Sequence, residues 1–374
     1  MINRLTRFST ILVLLPLLAG CLQASAPVKP AGIEGPVARE IQIDAPWSAS
    51  AIVTPAGETL IAAISHRDNY LEIWKLNPDR TLVSLSRDDA TNYHPDSVRW
   101  ASPTELYVAA EGTSKVQRWT FTNNKLKLAD IIPADHPPVA LTLGDLDQDG
   151  RLEVVSGPYA GKTLTIFWGQ ADRQFKAQYL AADFVPQYAR IVDWDGDGKP
   201  DLVWSEYDAG SIRLARNMGQ RKFEMTLLQK AGPGKTRQLA VGDLDNDGHP
   251  DLAVALETGK AARILFNDGK GGIRSTLEIP APLYGYSAVA IGQEHGQPIL
   301  ALSENGRVVL ARPRDGNPRE AWERRGLSAG ALPLDMQFID LDRDGHLDLL
   351  VANSADTSVQ LIFGPLWKNA KPIP

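Results

Sequence analysis

The sequence GDLDQDGRLEVV at 144–155 returns as VDWDGDGKPDLV at 192–203, as GDLDNDGHPDLAV from 242 and as IDLDRDGHLDLLV from 339. Three of the leading aspartates, Asp145, Asp193 and Asp243, stand 48 and 50 residues apart. The last, Asp340, follows after 97, which is two periods. A period in this range is the mark of a repeat architecture, in which each unit is one small sheet or hairpin that buries its apolar face only against its neighbours.

The gap of two periods predicts a degenerate copy, and AVAIGQEHGQPIL at 288–300 keeps the apolar frame without the acids. Two further degenerate copies precede the first acidic one, at 52–61 and 98–108. The strand that follows the loop aligns at Thr59, Glu105, Glu153, Asp201, Asp251, Ile299 and Asp348, with spacings of 46, 48, 48, 50, 48 and 49. Seven units of about 48 residues fill 38–374. Frequent Gly and Pro, spread evenly, fit many short strands joined by turns.

Each unit has room for four strands, which in the third unit read as 139–144, 152–157, 163–168 and 175–181. The seventh unit ends soon after its third strand, at Phe363, while 38–44 sits in phase as an orphan fourth strand. Pairing the two closes the ring and leaves no open edge. The expectation is an all-β chain: a seven-bladed β-propeller of four-stranded blades, closed by the N-terminal strand on the last blade.

The acidic loops read D-x-D-x-D-G-x-x-[D/E]. Oxygen ligands at alternate positions wrap a hard cation, and the glycine permits the sharp turn. The candidate side-chain ligands are Asp145, Asp147, Asp149 and Glu153; Asp193, Asp195, Asp197 and Asp201; Asp243, Asp245, Asp247 and Asp251; Asp340, Asp342, Asp344 and Asp348. The seventh position, Arg151, Lys199, His249 and His346, would offer its backbone carbonyl. An EF-hand is excluded, because position twelve is Ser156, Trp204, Val254 or Val351 rather than Glu. Position two is apolar throughout (Leu146, Trp194, Leu244, Leu341) and is expected to turn into the core. Solvated turn acids would not cluster four carboxylates in phase four times, because such clusters repel without a cation between them. The expected cofactor is Ca2+, at about four sites; Mg2+ fits less well because it keeps its water and a strict octahedron.

These residues resemble the FG-GAP/VCBS repeat family, whose integrin-type propellers carry calcium in such loops. The four acidic units match closely, and the other three match in spacing and apolar pattern. The resemblance implies the fold and the metal. It implies little about activity, because the family includes adhesion modules, lectins and domains attached to enzymes.

The N-terminus reads as a processing signal. Arg4 and Arg7 precede a short apolar core, and LAGC at 18–21 resembles the bacterial lipobox. Cys21, the only cysteine, would be acylated and would anchor the mature chain to a membrane. Leu22 follows in place of Asp, and its resemblance to the Gram-negative lipoprotein sorting pattern implies the outer membrane of the envelope. The expected organisation is a lipoprotein signal peptide at 1–20, a lipidated Cys21 with a tether to 37, and the propeller at 38–374, acting as a monomer.

A formal charge of −6 gives no nucleic-acid surface. No G-x-S-x-G, H-E-x-x-H or C-x-x-C-H motif occurs, so no catalytic residues are assigned. Propeller topology places the acidic loops on one face. The opposite face should collect His94, Asp96, Tyr188, Arg190, Arg237, Tyr284, Tyr286 and Asp335 from one loop set. The other set adds His66, Arg67, Tyr70, Tyr159, Lys162, Glu206, Tyr207 and Asp208. Tyr188, Arg190, Tyr207 and Arg237, from neighbouring units, are the candidate ligand-binding residues. The expected function is a glycan- or protein-binding module. The alternatives are an enzyme acting on polysaccharide, a lyase or hydrolase, or a scaffold in an envelope complex.

Overall fold

The computed structural model describes residues 38–89, 93–230, 234–259, 261–281, 285–314 and 317–373. The lipobox with Cys21, the tether and Tyr284 lie outside these. Among the described residues there are seven antiparallel sheets, which occupy 49–88, 95–133, 138–181, 186–229, 236–280, 289–328 and 333–362. They are numbered here as blades one to seven. In blade three the strands are Pro138–Gly144, Glu153–Pro158, Thr163–Gly169 and Phe175–Ala181.

Ring closure follows the expected route. The strand Ala38–Gln42 pairs antiparallel with Ser358–Ile362, from Ala38 opposite Ile362 to Gln42 opposite Ser358. The first strands of blades one and seven are laced by side chains. Gln337 accepts from Ala51 N–H at 2.9 Å through Oε1 and donates to Ala51 O at 3.0 Å through Nε2. Ser48 donates to Asp335 Oδ2 at 2.5 Å. One feature was not foreseen: after a one-turn helix, Leu366–Asn369, the strand Lys371–Pro372 adds a fifth member to blade six.

The core lies between blades, where apolar residues of facing sheets interdigitate. Leu146, of blade three's acidic loop, packs with Ala189, Leu202 and Trp204 of blade four. Trp194 packs in the same way with Leu239 and Val254 of blade five. Leu146, Trp194, Leu244 and Leu341 are all at most 1% exposed, as their apolar character predicts. Each contributes roughly 1.5–3 kcal/mol of burial. Small residues set the blade spacing: a Cβ on Gly157 would sit 1.6 Å from the Gln187 carbonyl oxygen of the next blade.

The first strands of neighbouring blades pack side by side around the axis. They line a channel cavity of about 480 Å³ to which all seven blades contribute, including Arg99, Arg190, Gln238 and Asp335.

Candidate metal centres and the opposite-face cavity

Each acidic loop spans the first and second strands of its blade, between Gly144 and Glu153, Val192 and Asp201, Gly242 and Asp251, and Ile339 and Asp348. The leading aspartate shapes the turn. Asp145 accepts from the N–H groups of Asp149 and Gly150 at 3.1 and 2.9 Å. Asp243 does the same with Asp247 and Gly248, and Asp340 with Asp344 and Gly345. Asp193 accepts from Gly196 and Gly198. The loop glycines Gly150, Gly198, Gly248 and Gly345 have φ of +82, +85, +86 and +87°, where a side chain would be strained.

The ninth-position acid has a second task. Asp201 Oδ2 accepts from Trp194 N–H at 3.0 Å, and its Oδ1 accepts from Asn217 N–H at 2.7 Å. Asp251 and Asp348 repeat this with Leu244 and Asn267, and with Leu341 and Gly364. Glu153 repeats it with Leu146 and Gly169. These four carboxylates are fully buried. Burial foremost, with the neighbouring loop aspartates adding to it, pushes Glu153 and Asp251 up to about 7 and Asp348 up to about 6; Asp201 is raised as well.

Three loops bring their ligand oxygens within 4.8 Å of one another: Asp145, Asp147 and Glu153; Asp193, Asp195 and Asp197; Asp243, Asp245 and Asp251. The donor set fits a hard divalent cation. It is all carboxylate, and Asp147 Oδ1 is buried with no hydrogen-bond partner. The outer oxygens of the same acids meet basic side chains. Arg221 reaches Asp147 at 2.8 Å, Arg319 reaches Asp245 at 2.5 Å and Arg80 reaches Asp342 at 2.6 Å, each from the following blade. Asp195 is instead met by Arg216 of its own blade at 2.9 Å. Sequence reasoning missed these arginines. A faint signal existed, since Arg221 and Arg319 lie two periods apart.

The other face holds a cavity of about 400 Å³ lined by Trp47, Asp96, Tyr159, Gln187, Tyr188, Tyr207, Asp208, Lys235 and Arg237, among others. Three of the four candidate ligand residues, Tyr188, Tyr207 and Arg237, come together here. The fourth, Arg190, lines the channel cavity instead, where burial and the nearby Arg99 hold its guanidinium down to about 10. Tyr188 lies within electrostatic reach of both arginines. Glu257 braces the cavity wall, accepting from Tyr207 Oη at 2.7 Å and from Arg237 Nη1 at 3.1 Å. Arg237 Nε is buried and has no hydrogen-bond partner.

Several other residues expected at this face are not free. Tyr286 is fully buried and donates to the Pro280 carbonyl at 3.0 Å. Tyr70 is 3% exposed beneath the Arg87 guanidinium. Glu206 is buried and accepts from Ser211 and Arg213. Tyr70 and Glu206 fall on inward positions at strand ends, and Tyr286 turns inward from the connection into blade six, which the loop count could not resolve. Trp47 was not singled out, because it lies in the connection between the closing strand and blade one.

Residues 193–254 match the family described as FG-GAP-like repeat. That stretch holds two of the four acidic loops. No curated protein matches. Among solved structures, a catalytically inactive virginiamycin B lyase from Staphylococcus aureus, determined with quinupristin, is similar at 16% identity and a TM-score of 0.60. The likeness covers 88% of this chain and 99% of that one. A protein from Lactobacillus plantarum is similar at 13% identity and a TM-score of 0.63, over 81% of this chain and 91% of that one. At these identities the likeness is one of fold.

Proposed function

We propose that this seven-bladed β-propeller, which carries an FG-GAP-like repeat, is a calcium-stabilised, lipid-anchored envelope protein that binds a glycan on the face opposite its acidic loops. The observation that carries the reading is the cavity of about 400 Å³ with aromatic walls and converging polar groups. Its volume falls in the range of small-ligand sites, about 300–1,000 Å³. A protein partner would need a surface of roughly 800 Å² on each side. The concave shape favours the end of a saccharide chain over a protein.

Tyr159 is 61% exposed and can offer a ring face, and Trp47 and Tyr207 also line the wall. Aromatic side chains supply apolar contact at little entropic cost, and their polar tips, with Arg237, can bond hydroxyls. Lys235 places its ammonium 4.7 Å from the Tyr207 ring centroid and 3.7 Å from Asp208, so the wall offers both signs of charge to a polar ligand. The acids of the opposite face are engaged in turn formation and the proposed metal sites, which leaves little there for a ligand.

A glycan array with the purified protein tests this. Tyr207→Ala and Arg237→Ala should each weaken a captured glycan by roughly 1 kcal/mol or more. If both variants bind normally, and loop substitutions such as Asp245→Ala abolish binding without unfolding, the site is on the wrong face.

A further inference from the structure

Beside this cavity, two imidazoles and a carboxylate converge. His66 lies in the turn between the second and third strands of blade one. His94 lies in the connection into blade two, and Glu111 follows the second strand of blade two. One ligand atom from each lies within 4.8 Å of the others. The His66 and His94 ring centroids are 4.7 Å apart, edge to face.

The cluster is held by packing and hydrogen bonds. Trp47 stacks on His66 at 4.0 Å with an interplanar angle of 11°. His66 Nδ1 lies 3.3 Å from the Pro95 carbonyl oxygen and 3.4 Å from Asp96 Oδ1. A neutral ring donating on that side keeps the Nε2 lone pair for another partner. Such outer partners fix the tautomer and orientation of metal-bound histidines. His94 adopts φ +45°, a left-handed conformation that is uncommon without glycine. Its N–H donates to Asn69 Oδ1 at 2.8 Å, and its carbonyl accepts from Glu111 N–H at 3.0 Å. Strain held in place this way is typical of ligand clamps.

A second observation points to an occupant. Asp96 is 5% exposed, and neither of its carboxylate oxygens has a hydrogen-bond partner. Glu111 lies close beside it and Arg237 is the cation within electrostatic reach, so a metal ion at the cluster would further offset the cost of burying this carboxylate.

We propose that His66, His94 and Glu111 bind a first-row divalent transition metal, with the Pro95 carbonyl orienting His66 from behind and the Asp96 carboxylate adding negative charge beside it. Two imidazoles and one carboxylate form a set used for zinc and related ions, and they leave a position open for water or ligand. Asp96 and Trp47 belong to both the cluster and the cavity wall, so that open position lies at the cavity's edge. The set differs from the acidic loops, which offer only oxygen and suit a harder ion. The proposal does not depend on glycan binding, and its test uses the metal alone.

The experiment is a zinc titration of the full-length protein in excess calcium, followed by calorimetry, with Co2+ absorption as a second readout. Wild type should take up zinc at this site, and His94→Ala and Glu111→Gln should each remove that equivalent. Asp96→Asn, which removes a negative charge beside the site but leaves the Pro95 bond to His66, should weaken it by about 10-fold or less. If His94→Ala does not fold, Glu111→Gln decides, since Glu111 is only half-buried and Gln keeps its shape. Glu294, His295 and His346 form a separate cluster at the acidic-loop face, so His295→Ala serves as the control. No zinc uptake by wild type would overturn the proposal. So would uptake lost on His295→Ala but unchanged in His94→Ala and Glu111→Gln.

Discussion

Arg221 donates from Nε to Asp147 Oδ2 across the boundary between blades three and four, at 2.8 Å. Asp147 is thus shared: one oxygen faces the next blade, while Oδ1 stays buried without a hydrogen-bond partner. Arg319 with Asp245 and Arg80 with Asp342 repeat the relationship. Gln148 adds a bond from the same loop to the Gly198 carbonyl of the next, at 2.8 Å. The loops therefore do more than present carboxylates; they stitch blades together.

Arg221→Ala should destabilise the chelator-treated protein more than the calcium-loaded one. In chelator the guanidinium is a principal counter-charge for Asp147, whereas bound calcium would supply another. The pair is partly exposed, so the loss in calcium should stay within about 1 kcal/mol. Melting curves with and without chelator check this; a larger loss in calcium would mean that the arginine acts chiefly on the loaded loop.

Chelation itself should lower the melting temperature of wild type. A ligand at about 100 times its dissociation constant contributes roughly 2.7 kcal/mol per independent site. Asp245→Ala should remove one bound ion by mass spectrometry. An unchanged melt after chelation, with no metal detected, would sink the calcium assignment.

The metal-free protein should be more stable at pH 5.5 than at pH 7.5. Glu153 and Asp251 titrate near 7 and Asp348 near 6 in the fold, against roughly 4 in an unfolded chain. Between those values the folded state binds more protons than the unfolded one. Stability is therefore fully present below about 4 and is lost as pH rises through the folded values. Calcium should flatten or reverse this slope, because protons and the ion compete for the same carboxylates. Denaturant melts at the two pH values, each with chelator and with calcium, supply the measurement.

Asn217→Ala should cost about 1–3 kcal/mol, the price of leaving buried carbonyls unmet. Asn217 Nδ2 donates to the Leu146 and Pro200 carbonyls, both at 2.9 Å, tying blade four to the loop of blade three. Asn267 does the same for Trp194 and Pro250, at 2.8 and 3.0 Å. The two single variants should be similarly destabilised in urea; a neutral Asn217→Ala would show that the loop is held by other means.

Cys21→Ser should release the protein into the soluble periplasmic fraction or leave it unprocessed. Fractionation and mass spectrometry read the outcome. Wild type that is already soluble and unlipidated would refute the anchor.

The period of the sequence determined the seven blades, because each acidic loop marks the same turn of the same four-stranded unit. The orphan strand at 38–42 and the missing fourth strand of blade seven were legible for the same reason: an open sheet edge needs a partner. Apolar residues at loop position two, such as Trp194, declared their burial by their chemistry alone. What a period cannot carry is the contact between units. Arg221 meets Asp147 only because the ring sets neighbouring repeats side by side, and Trp47 meets His66 because blade one folds its entry beside the turn between its second and third strands. A regular strand would point Tyr188 and Arg190 the same way, but the pairing of Pro186–Val192 is irregular between Pro186 and Ala189, and the two residues line different cavities, the opposite-face one and the channel. The connection into blade six likewise buried Tyr286, which by composition alone looked like a surface aromatic. The convergence of His66, His94 and Glu111 has no motif spacing, since it is made by three connections from two blades, and only the closed fold brings them within reach of one ion.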